Sequence, residues 1–93
     1  ICPGFNFGIG NVIQGDDGIN RWNVYDDGCN IVDGLTTNEN PCTLGIFGCS
    51  PAPILFNQYT NTFTDTVYLC QTDPQSENCE SDVISVCCRN DGN

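Results

Sequence analysis

With 93 residues the chain has room for one domain, 1–93, and a domain of that size buries only about two thirds of the surface its unfolded chain exposes. Eight cysteines, with no histidine and no CxxC pair, read as four disulfides formed in an oxidising compartment and exclude a zinc ribbon. Two Lys+Arg against twelve Asp+Glu give a net charge of -10, which disfavours nucleic-acid backbones, anionic membrane surfaces and the cationic pore-forming class.

No apolar run approaches the roughly twenty residues that span a bilayer, and no basic, hydrophobic leader precedes Ile1. The chain is therefore expected to be the mature form of a secreted, extracellular protein with no membrane partner. Nothing is long enough, or rich enough in Ala, Leu, Glu and Lys, to make a helix. Short strands are predicted at Ile9–Gln14, Ile19–Tyr25, Cys29–Val32, Ile54–Tyr59, Asp65–Gln71 and Val83–Arg89, with Gly, Asn, Asp and Pro filling the gaps. The fold class is all-β, a small disulfide-stapled antiparallel β-barrel or sandwich.

Asp16-Asp17-Gly18 and Asp26-Asp27-Gly28 recur ten residues apart, each after an alternating apolar segment. That is the pattern of successive hairpins whose turns need a positive φ, which glycine adopts without strain. In the strand between them Ile19, Arg21, Asn23 and Tyr25 project to one side and Asn20, Trp22 and Val24 to the other. Trp22 is then a core or interface aromatic. Its functional alternative is a carbohydrate-binding platform, with a sugar ring stacked on Trp22 and Tyr25 or nearby asparagines adding hydrogen bonds. Calcium is chemically conceivable at Asp16, Asp17, Asp26, Asp27 and Asp33, but the spacing matches no EF-hand loop. Solvated turn aspartates with no metal and no cofactor are the expectation.

Cys42 and Cys49 flank a six-residue segment carrying Leu44, Ile46 and Phe47, and a local bridge would hold these side chains on a constrained loop. A protease-inhibitor reactive loop is one reading, because a rigid loop binds with less ordering cost. The others are that Ile46 and Phe47 fold under as a plug, or that the loop joins Ile54, Leu55 and Phe56 in a protein–protein surface. A mixture of plug and contact is favoured, and the crowding of apolar residues there predicts a homodimer.

In the last strand Val83, Ser85 and Cys87 would line one face and Ile84, Val86 and Cys88 the other, so the strand should be central. Cys87 and Cys88 then tie it to two different segments, those of Cys2 and Cys29, which leaves Cys42–Cys49 and Cys70–Cys79 as local bridges. Eight cysteines permit on the order of a hundred connectivities, and this is one choice among them. Catalysis has little to use: there is no histidine or lysine, and carboxylate pairs are uninformative in a chain so acidic. The protein is expected to bind rather than catalyse.

The hairpin RWNVYDDGCNIVDG, the segments NENPC and FGCSPAP, and the terminal DVISVCCRN resemble the small secreted cysteine-rich, effector-like proteins of filamentous ascomycete fungi, Trichoderma in particular, over essentially the whole chain. At the level of fold the chain also resembles the dimeric β-barrel allergens and elicitors of plant-associated fungi. The resemblance implies a β-barrel, self-association and modulation of plant defence through binding of a host protein or cell-wall component. It brings no catalytic residues.

Overall fold

Phe7-Gly8-Ile9-Gly10 puts large side chains on one face of a strand and bare glycines on the other, and both layers of the fold grow from that asymmetry. The structure is a computed structural model that describes residues 1–50, 55–73, 77–80 and 82–90, without the side chains of Ser50 and Leu55. Its strands are β1 (Phe7–Gly10), β2 (Ile13–Gln14), β3 (Asn20–Asp26), β4 (Ile31–Thr37), β5 (Phe47–Ser50), β6 (Leu55–Thr60), β7 (Val67–Thr72), β8 (Asn78–Cys79) and β9 (Asp82–Arg89). Two 3-10 turns, Asp16–Gly18 and Pro41–Thr43, interrupt them. Every pairing is antiparallel, in the order β4-β3-β1-β9-β7-β6-β5, with β2 beside β3 and β8 beside the start of β9. The sheet curls into a half-barrel, and the all-β, disulfide-stapled expectation holds.

The concave face carries the main core: Ile9, Val24, Leu35, Phe47, Tyr59, Val86 and Cys88, with Phe7, Trp22, Ile46, Phe56 and Tyr68 packed against it. Rings pair through it, Phe47 stacked on Phe56 at 4.5 Å and Phe7 edge-on to Tyr68 at 4.8 Å. On the convex face a second cluster gathers Cys2, Tyr25, Cys79, Ile84 and Cys87 under the N-terminal segment. The glycines of β1 make room for it. A Cβ on Gly8 would lie 2.8 Å from Ile84 and 2.9 Å from Ile1, and one on Gly10 would collide with the Asp82 carboxylate.

β9 is central, between β1 and β7, and both its faces are covered, as its sequence predicts. Its facing differs from strict alternation. Ile9 pairs with Val86 but Gly10 with Ile84, a bulge that leaves Ser85 as the extra residue. One inserted residue reverses the parity, so Ile84 joins Cys87 outside while Val86 joins Cys88 inside.

All eight cysteines are paired, as Cys2–Cys87, Cys29–Cys79, Cys42–Cys49 and Cys70–Cys88. Cys87 and Cys88 do point to opposite faces and reach different segments. The expected tie of this strand to Cys29, and the expected Cys70–Cys79 bridge, are corrected by register. Cys70 and Cys88 are direct partners across β7 and β9, whereas Cys79 sits on the β8–β9 hairpin over the β3–β4 turn that carries Cys29. The two bridges with separations of 85 and 50 residues restrict the unfolded chain far more than Cys42–Cys49, with a separation of 7.

The turns also depart from expectation. Gly18 has the anticipated positive φ, 76°, but in the second turn Cys29 takes it, φ 65°, and Gly28 does not. There the Asp26 carboxylate accepts the amides of Gly28 and Asn30, both at 2.9 Å, and closes the turn from the side chain.

Candidate functional site

Side chains span the seam between β4 and the β5–β6 side of the half-barrel. Asp33, on β4, accepts the Tyr59 hydroxyl at 2.6 Å, the Thr62 amide at 3.0 Å, the Thr62 hydroxyl at 2.9 Å and the Gly34 amide at 2.8 Å. Partial burial pushes the Asp33 carboxyl up, but these four donors outweigh it and hold it below the usual carboxylate range. Burial, then the bond to Asp33, drives the Tyr59 phenol well above its ordinary value. Asp33 is thus a structural hub, and the calcium alternative loses the oxygens it needed there. The Asp26 oxygens are likewise occupied, with the bonds from Asn30 holding that carboxyl low.

The opposite face carries a polar row. Arg21 Nε donates to Asn23 Oδ1 at 2.7 Å, Asn23 Nδ2 donates to Tyr25 Oη at 3.3 Å, and Tyr25 Oη donates to Asp82 Oδ2 at 2.6 Å. Tyr25 on β3 reaches Asp82 on β9 only because Gly8 and Gly10 on the strand between them present no side chain. Burial and the bond to Asp82 raise the Tyr25 phenol.

This placement separates two residues that sequence grouped. Trp22 faces inward and meets Phe56 edge-on at 6.1 Å, whereas Tyr25 is buried under the N-terminal segment on the other side of the sheet. A sugar site built from both is ruled out by that geometry. Strand alternation already implied it, since Tyr25 and Trp22 are of opposite parity on the strand.

The Cys42–Cys49 loop also resolves unevenly. Leu44 is 37% exposed, while Phe47 is 2% exposed on β5 and Ile46 is packed on the core. Phe56 is half-buried against Phe47; Ile54 and the Leu55 side chain lie outside the described residues. So Ile46, Phe47 and Phe56 form the plug, while Leu44 stays outside. Besides Leu44, the exposed large apolar side chains among the described residues are Phe63 (80% exposed) in the turn before β7, Val67 and Leu69 on β7, Val12, Ile13 and Ile19 around β2, and Ile31 on β4.

At one end of the half-barrel the strand ends leave an open groove of about 590 Å³. Trp22 and Phe56 line it together with Asn11, Gln14, Asn20 and Glu39. Asn20 and Gln14 are register partners across β2 and β3, which brings both carboxamides to the same place on the wall. Among the described residues, none of the side chains of Asn11, Gln14, Asn20 or Glu39 is engaged in a hydrogen bond. That is unlike the other polar rows of the molecule; sequence reading put Asn20 on the side of Trp22 and invoked nearby asparagines in general, but it did not single out Asn11, Gln14 or Glu39. The signal was the parity of Asn20 with Trp22, which put an amide beside the indole.

One further group brings two acids and two sulfurs together: Asp73, Glu77, Cys2 and Cys87. The sulfurs are bonded to each other, and Glu77 Oε1 accepts the Cys2 amide at 2.7 Å, so the group ties the N-terminus to the loop before β8. No protein-family model matches the chain, and no curated protein or solved structure matches it either.

Proposed function

We propose that this is a secreted effector or elicitor that acts by binding a host plant protein or wall component and so modulates plant defence. The observation that carries the proposal is the groove: four amide and carboxylate side chains that no described residue engages in a hydrogen bond surround two aromatic rings, on a scaffold locked by four disulfides. Such a scaffold pays little ordering entropy on binding. Secretion is supported by the disulfides, which persist in oxidising compartments, and no helix of the described residues is long and apolar enough to cross a membrane. Binding is favoured over catalysis because Asp33 and Asp82 are both engaged by buried tyrosine hydroxyls. A protease-inhibitor loop is disfavoured, since Ile46 and Phe47 turn inward.

Self-association as a homodimer belongs to the same proposal. Phe63, in the turn before β7, and Val67 and Leu69, on the outer face of β7, are exposed apolar side chains, and these three are the proposed contact. The function is tested by infiltrating leaves with oxidised protein and with reduced, alkylated protein. A defence response to the oxidised form alone is expected. Equal responses to both, or none to either, would refute the proposal.

A further inference from the structure

We infer that the groove between Trp22 and Glu39 binds a neutral oligosaccharide, an inference that rests on the proposed binding role and names its ligand class. Sugar rings offer two kinds of surface, an apolar C–H face and a rim of hydroxyls. The groove offers the complement of each. Trp22 and Phe56 form an apolar aromatic wall, and Asn11, Gln14, Asn20 and Glu39 carry donors and acceptors that no described residue occupies. Carboxamides suit hydroxyl groups because each both donates and accepts, as a hydroxyl does. At about 590 Å³ the groove lies within the range of small-ligand sites, roughly 300–1,000 Å³.

Charge selects among glycans. The net charge is -10 and Glu39 stands in the groove lining with no cationic residue beside it in that wall; the two arginines are placed elsewhere, Arg21 on the convex polar row and Arg89 over the Phe5 ring. Polyuronates and sulfated chains are therefore repelled, while uncharged hexose or N-acetylhexosamine chains are not. Trp22 is also the chain's one tryptophan, and it lines this groove, so its emission responds to a ligand bound there.

The test is fluorescence titration of the oxidised protein with cellohexaose, xylohexaose, laminarihexaose, chitohexaose and hexagalacturonate, checked by calorimetry. A saturable change with at least one of the four neutral hexaoses is expected, and none with hexagalacturonate. The Gln14→Ala/Asn20→Ala variant should keep the wild-type far-ultraviolet spectrum and bind that hexaose at least tenfold more weakly. Tyr25→Phe, on the opposite face, should bind it unchanged. Silence from all four neutral hexaoses up to millimolar concentration, preferential binding of hexagalacturonate, or undiminished binding by the double variant would overturn the inference. A protein captured from plant apoplastic fluid by the wild type and not by the double variant, together with silent titrations, would retain the binding role while removing the glycan.

Discussion

Tyr59→Phe isolates the seam of the half-barrel. The substitution deletes one oxygen from a fully buried ring and leaves the stacking on Tyr68 and the contact with Phe47 in place. What disappears is the 2.6 Å bond to the Asp33 carboxylate. A hydrogen bond to a charged acceptor contributes about 1.5–3 kcal/mol, and the lower end applies because Asp33 is only partly buried and keeps its three bonds to Thr62 and Gly34. At roughly 4–8 °C per kcal/mol for a domain of this size, the thermal midpoint at pH 7 should fall by about 6–15 °C. The effect has a pH signature. Asp33 is held below its unfolded value, near 3.9, so its stabilisation is present above that pH and is lost as pH falls through the lower folded-state value. The gap between wild type and Tyr59→Phe should therefore be constant from pH 7 to about pH 5 and narrow as pH falls below the ordinary carboxylate range of about 4. Circular dichroism melts across this range decide it. A midpoint unchanged at pH 7, or a gap as wide at pH 2 as at pH 7, would refute an ionised Asp33 as the clasp of the seam.

The disulfides should differ in weight: replacing Cys2 and Cys87 together by alanine should cost about 4.5 kcal/mol, against about 2.5 for Cys42 and Cys49, by loop length, and equal losses in denaturant melts would contradict the entropic account. Tyr25 and Tyr59 both have raised pKa values, so their contribution to stability is complete below about pH 10 and lost as pH rises through the folded values. Absorbance titration should show these two phenols resisting ionisation while the fold persists; all three tyrosines ionised by pH 10.5 in a native protein would be the contrary result. Leu69→Asp should yield a folded monomer by light scattering with size exclusion, whereas Phe47→Asp, which buries a charge in the core, should not fold. A dimer that survives Leu69→Asp, or a wild type that is monomeric at micromolar concentration, removes β7 as the contact. Chelation of divalent ions should leave the thermal midpoint unmoved, and a calcium-dependent rise of several degrees would reopen the aspartate turns as a site.

Much of the architecture was legible from parity and punctuation. The RWNVYDDGCNIVDG hairpin is β3, its turn and most of β4, Trp22 and Val24 face the core as alternation requires, and adjacent Cys87 and Cys88 diverge to two layers. What escaped depends on contacts between distant segments. The pairing of Cys70 with Cys88 needs the knowledge that β7 lies beside β9 in that register. The bulge at Ser85 has no composition of its own, yet it reverses the facing of Ile84 and Val86. β5 was hidden because Phe47-Gly48-Cys49 was read as part of a constrained loop and not as a strand, although the inward turn of its phenylalanine was anticipated. For the groove, Trp22 was singled out with Tyr25 or nearby asparagines as its partners; Tyr25, of opposite parity, faces the other side, and Gln14 came only from the register of β2 against β3.

Under the proposed function the groove is the surface that meets the host. The most direct measurement is parallel pull-down from plant apoplastic fluid and isolated walls with oxidised wild type and with Thr72→Arg, which drives a long cation into the groove from an exposed lining position at the end of β7. Wild type should retain a host component that Thr72→Arg does not, with both proteins equally folded. Identical retention by the two would place the binding surface elsewhere and contradict the account.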